Sequence, residues 1–100
     1  MTAGEIIRRT DRLRPNTLAL EEKLAWLTQL DRRAFEEVIL THEHEDAAFE
    51  GHPNGESEML IPPPWDEVYH FFLCMQMDLA GREMVMYNND RALFASAWLA

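Results

Sequence analysis

Positive charge is scarce in this 100-residue chain: 9 Lys and Arg stand against 18 Asp and Glu, a formal charge of -9 at pH 7. Holding a phosphate backbone takes clustered cations, so this balance argues against duplex DNA or RNA as a tightly held ligand. Cysteine is scarcer still. Cys74 stands alone, so no disulfide can form within the chain, and a reducing compartment fits. No apolar run approaches the ~18 residues that a membrane helix needs, and the first residues lack the charged-then-apolar pattern of a leader. With 4 glycines, the sequence has no phosphate-cradling glycine loop and no nucleophile elbow. It has no internal repeat and no low-complexity tract.

What is present is ordinary globular material, 47% hydrophobic and 27% charged, which reads as a soluble, acidic, cytosolic-type domain. The length predicts one domain spanning 1–100. A core of this size buries about two-thirds of the surface that the unfolded chain exposes. The 6 methionines and the aromatic tenth of the chain exceed what such a core hides, which predicts self-association or a partner.

Periodicity predicts an all-α fold of about four helices. The first runs from Gly4 to Arg14, with Ile6, Ile7, Thr10 and Leu13 on one side and Arg8, Arg9, Arg12 and Arg14 on the others. Pro15 stops it, and Asn16 and Thr17 are turn and cap types. The second runs from Leu18 or Leu20 to Leu40. Its apolar stripe is Leu20, Leu24, Leu27, Ala34, Phe35 and Val38, widened by Trp26, Leu30 and Ile39, enough for two neighbouring helices. Asp31, Arg32, Arg33, Glu36 and Glu37 form its wet side. The third begins near Trp65 and Asp66 and follows Trp65, Val68, Tyr69, Phe72, Met75 and Leu79; with Phe71, Leu73 and Cys74 it is apolar nearly all round and therefore central. Gly81 breaks it. The fourth runs from Arg82 or Glu83 to the end, with Met84, Tyr87, Phe94 and Trp98 on one face. Asn88 and Asn89 are poor helix formers there, which points to a side-chain task.

Between helices 2 and 3 lies a long acidic loop or arm, 41–64, with room for a short β-hairpin. Residues 41–58 carry six acids, Glu43, Glu45, Asp46, Glu50, Glu56 and Glu58, and no Lys or Arg. They include Gly51-His52-Pro53-Asn54-Gly55, a turn cluster. Met59-Leu60-Ile61 is an anchor or brief strand, and Pro62-Pro63-Pro64 enforces an extended segment. Loops this long are functional or disordered.

Several constellations bear on chemistry. His42, His44 and His52, with the acids around them, could ligate a divalent metal. The spacing is not that of the zinc-protease helix, since Asp46 stands four residues after His42. A solvated acidic loop accounts for them as well, and metal ligation is not the leading expectation. His70 and Cys74 are four apart on one helix, the minimal nucleophile pair. Their apolar surroundings favour an inert thiol. Met75, Met77, Met84 and Met86 could hold a soft metal, but adaptable packing is their commoner use. Arg8, Arg9, Arg12 and Arg14 are too few for a nucleic-acid patch and suit the acidic loop of a neighbouring copy. No catalytic residue and no cofactor is expected.

Three stretches together carry a resemblance. They are Glu5-Ile6-Ile7-Arg8-Arg9 with Arg14-Pro15-Asn16; Glu22-Lys23-Leu24-Ala25-Trp26-Leu27-Thr28-Gln29-Leu30-Asp31; and Leu60-Ile61-Pro62-Pro63-Pro64-Trp65-Asp66-Glu67-Val68-Tyr69, followed by Tyr87-Asn88-Asn89 and Phe94. In this order they resemble small proteins from the structural-gene clusters of Firmicutes phages and prophages, a group similar to head-tail connector (head-completion, adaptor) proteins. The resemblance spans nearly the whole chain and rests on packing and turn motifs. It implies a helical, non-enzymatic virion subunit that forms a ring joining portal and tail, present in the host cytoplasm before assembly. It also implies a further apolar-aromatic stretch beyond Ala100, where the last helix is still in its pattern. Loop 41–58 is more His-rich than the resemblance implies. The expected interface anchors are Trp26, Leu60, Ile61, Trp65 and Tyr69, because buried aromatic side chains dominate interface energies. The alternatives are a metal-binding module using the His-rich loop and a cytosolic helical protein-protein adaptor; a small enzyme ranks last.

Overall fold

The computed structural model describes residues 1–39 and 51–99. Among the described residues the chain is all-α, with no strand; one isolated antiparallel bridge joins Thr2 to Glu58. Helix α1 spans Ala3–Leu13. Its start is set by a reciprocal cap: the Thr2 hydroxyl accepts from the Glu5 amide and the Glu5 carboxylate accepts from the Thr2 amide, satisfying donors that a helix N-terminus leaves open. Those bonds hold the Glu5 carboxyl below its ordinary value.

Helix α2 spans Leu20–Ala34 and continues as a π-helical turn, Phe35–Ile39. The expected single helix is thus a regular segment with a wider last stretch, and Leu40 lies outside the described residues. Its N-cap is Ala19, with no side-chain bond. Asn16 works one turn earlier: its side-chain oxygen accepts from the Leu18 amide and its amide group donates to Asp11 Oδ1 at 2.9 Å. Lys23 closes this corner, its Nζ 2.9 Å from both Asp11 oxygens. The stripe Leu24, Leu27, Leu30, Ala34 and Phe35 is buried as the spacing predicts, whereas Leu20, in the first turn, is exposed.

Helix α3 spans Glu67–Ala80 and helix α4 spans Met84–Leu99. The expected start of α3 near Trp65 and Asp66 is a non-helical turn, in which the Trp65 amide donates to the Pro62 carbonyl at 3.1 Å. The Pro63–Pro64 bond is cis. Helix α3 is central, as its all-round apolar character predicts: it touches α1, α2 and α4 and buries Val68, Tyr69, Phe72, Leu73, Cys74 and Met77. The break falls at Gly81, but the left-handed residue is Arg82, at φ 57. Helix α4 folds back antiparallel on α3, with Phe94 against Phe72 at 5.3 Å between ring centroids and against Trp98 at 5.9 Å. Arg33, from α2, lies 4.7 Å from the centre of the Trp98 ring.

The segment 51–66 crosses the N-terminus of α1 and is tied to it by backbone bonds, while the Thr28 and Asp31 side chains tie it to α2. The Ala3 amide donates to the Ser57 carbonyl and the Gly4 amide to the Gly55 carbonyl, each at 2.8 Å, and the Met59 amide donates to the Met1 carbonyl at 3.1 Å. Gly4 is required by this approach: a Cβ there would stand 2.7 Å from the Gly55 carbonyl oxygen.

Candidate functional site

A buried polar hub fixes this segment in place. Asp31 is 0% exposed. Its Oδ1 accepts from the Tyr69 hydroxyl at 2.5 Å; its Oδ2 accepts from His52 Nε2 at 2.6 Å and from the Leu60 amide at 3.0 Å. The Tyr69 hydroxyl in turn accepts from the Ile61 amide at 2.7 Å, and the Thr28 hydroxyl accepts from the His52 amide at 2.9 Å. Burial, then the adjoining Asp31 carboxylate, push the Tyr69 hydroxyl far above its ordinary titration range, so it stays a donor. The expected wet side of α2 is corrected at this position. Asp31 stands four residues after Leu27 and seven after Leu24, inside the apolar stripe, and that spacing was the available signal.

The hub decides where the expected interface anchors lie. Tyr69 is 0% exposed and its hydroxyl is committed to Asp31 and Ile61, so it is a core residue and no surface anchor. Leu60 and Ile61 are half-buried, with their amides bonded within the same chain. Trp26 is half-buried against the core. Trp65 alone of the five stands well out, at 52% exposed. His52, the one expected metal candidate among the described residues, is buried and bound to Asp31. His42 and His44 lie outside the described residues. Among the described residues no three His, Cys, Asp or Glu side chains gather as a metal site.

A second polar seam joins α1 to α3. On α3, Glu67, His70, Cys74 and Asp78 recur at three- and four-residue spacing and face α1. Arg9 pairs with Glu67. The Thr10 hydroxyl lies 3.0 Å from His70 Nδ1. Arg14 reaches the Cys74 carbonyl at 3.1 Å, Asp78, and Asp90 of α4 at 3.3 Å. Two of the four arginines expected to meet a neighbouring copy are therefore engaged within their own chain, while Arg8 and Arg12 are exposed. The His70–Cys74 pair does touch, Nε2 to Sγ at 3.7 Å. Burial lowers the imidazole's pKa and raises the thiol's. Both shifts favour the neutral pair over the thiolate-imidazolium that a nucleophile requires. An open groove of about 390 Å³ between the two helix turns is lined by Arg14, Pro15, Leu18, Met77 and Glu83 among others. Its guanidinium is already engaged by Asp78 and Asp90.

The most distinctive surface is α4. Only Phe94 of its residues is buried. Met84, Val85, Met86, Leu93 and Leu99 are exposed, Val85 at 86% and Leu99 at 84%. Leu79 adds to the patch just before the turn. Of the expected shared face, Phe94 is buried, Tyr87 and Trp98 are half-buried, and Met84, in the first turn, is exposed. In a chain of charge -9, this helix of 16 residues carries one acid and one base, Asp90 and Arg91, and Asp90 turns inward to Arg14. Sequence reasoning placed the anchors on the arm, on helix 2 and, with Tyr69, on helix 3, and missed α4. The uncharged run Met84–Asn89 was the available signal. Asn88 and Asn89 sit exposed on it. No family model matches this chain, and no curated protein and no solved structure matches it.

Proposed function

We propose that this chain is a non-catalytic structural subunit that joins further copies of itself through α4, as a head-tail connector between the portal and tail of a phage or prophage. The observation that carries the reading is the exposed, nearly uncharged apolar surface of α4 on a strongly acidic protomer. Like-charged copies repel one another, and α4 is where two can meet without opposing carboxylates. Isolated exposed apolar residues are ordinary, but a run of them along one helix is the mark of an association surface. Trp65 at the end of the arm is a further anchor in this reading. The backbone groups of Gly55, Ser57, Met59, Leu60 and Ile61 are bonded within their own chain, so this part of the arm serves assembly as a platform that holds Trp65. The connector assignment itself rests on the resemblance of the three sequence stretches.

Light scattering across protein concentration, with and without a portal protein, tests the reading. Wild-type protein is expected to gain mass with concentration or on adding portal, and Val85→Glu with Leu99→Glu is expected to remain at protomer mass with unchanged helicity. A wild-type protomer that stays single under both conditions would overturn it.

A further inference from the structure

Arg14 stands at the C-cap of α1, and its one guanidinium serves two carboxylates. Nη2 donates to Asp78 Oδ1 on α3, and Nη1 donates to Asp90 Oδ2 on α4 at 3.3 Å and to the Cys74 carbonyl at 3.1 Å. The Asp78 side chain is 0% exposed. Its Oδ2 is buried with no hydrogen-bond partner among the described residues, a costly state for a carboxylate oxygen. Among the described residues, the groups around it are engaged elsewhere or are acceptors themselves. Arg14 faces it from α1. Cys74 stands one turn back on the same helix, its thiol kept protonated by burial and set 3.7 Å from His70 Nε2. His70, one turn further, is bonded to Thr10, and burial lowers its pKa. From α4 comes Asp90. Arg91, its neighbour in sequence, is exposed. An ionised carboxylate cannot donate, but a protonated one can.

We propose that Asp90 carries a proton that it donates to Asp78 Oδ2, making the α3–α4 hairpin a proton-operated clamp that loosens when this proton leaves. The proton departs to water directly, since the Asp90 side chain is 17% exposed. It leaves behind two carboxylates on one guanidinium. Phe94 is the one buried side chain of α4, with Trp98 stacked beside it and under Arg33, and the Arg14–Asp90 contact ties this helix to α1. The electrostatics agree: burial first, then the neighbouring Asp78, push the Asp90 carboxyl up to about 6, with Arg14 opposing. Two close carboxylates that cannot both ionise comfortably raise one pKa in this way.

Side-chain carboxyl NMR of the wild-type chain, with hydrogen exchange of the α4 amides at about pH 5 and about pH 7.5, tests this. Asp90 is expected to titrate near 6. The open population of α4, corrected for intrinsic exchange rates, is expected to rise several-fold at the higher pH. Asp90→Asn, whose amide donates to Asp78 at every pH, is expected to lose that rise. In Asp78→Asn the Asp90 midpoint is expected to fall below the wild-type one. An Asp90 midpoint in the ordinary carboxylate range, equal α4 protection at both pH values, or a midpoint unmoved by Asp78→Asn would each overturn the clamp.

Discussion

Asp31 shows what one residue does when it interrupts an apolar stripe. Three donors, from His52, Tyr69 and the Leu60 amide, converge on one buried carboxylate. Removing a buried charged partner strands the groups around it, so Asp31→Ala is expected to cost about 3–5 kcal/mol in urea denaturation. That is a large share of the ~5–15 kcal/mol that holds a small domain together. Tyr69→Phe leaves the Ile61 amide and one Asp31 lone pair unanswered and is expected to cost about 1–3 kcal/mol by the same measurement. Gly4 makes a different point. Gly→Ala inside a helix ordinarily gains about 0.5–1 kcal/mol. Here the new Cβ would meet a backbone oxygen at 2.7 Å, so Gly4→Ala is expected to lower the melting temperature.

At the scale of elements, α4 packs along α3 and puts Phe94 into the shared core, while its outer face, with Val85 at 86% exposed, stands in water. A charge placed on its outer face therefore has little to disturb. Val85→Glu is expected to change protomer stability by no more than about 0.5 kcal/mol, while removing association in light scattering. The α3–α4 hairpin also sets a pH dependence whose sign is fixed. The folded Asp90 carboxyl, at about 6, lies above its ordinary 3.8. The folded state thus binds more protons than the unfolded one between these values. The stabilisation is complete below about 3.8 and is lost as pH rises through about 6. His70 acts in the opposite sense: burial lowers its pKa below 6.5, so its share of stability is lost as pH falls below that value. Thermal melts of wild type and Asp90→Asn separate the two. The falling limb is expected to vanish in the variant while the His70 limb remains.

The whole protomer measures 39 × 27 × 22 Å and carries a formal charge of -9. At this size, copies in contact lie within reach of one another's fields, since the screening length is about 8 Å at physiological ionic strength. An apolar contact made against such repulsion strengthens when salt is added; a contact made of ion pairs weakens. Sedimentation velocity from low to high sodium chloride is expected to show tighter association as salt rises. The opposite trend would place the contact on charged residues such as Arg8 and Arg12.

The sequence by itself determined the helical class, the centrality of α3 and the positions of the breaks near Pro15 and Gly81. Those follow from apolar spacing and local backbone chemistry, which are properties of short stretches. Tertiary structure decided the rest. It turned Tyr69 from an expected surface anchor into a core donor, seated Asp31 inside, and folded the arm back against α1. It also brought Arg14, Asp78 and Asp90 together from three helices and left the apolar side of α4 facing water. Each of these depends on which residue stands opposite another, across as many as 76 positions from Arg14 to Asp90, and periodicity within a single helix carries no information about that.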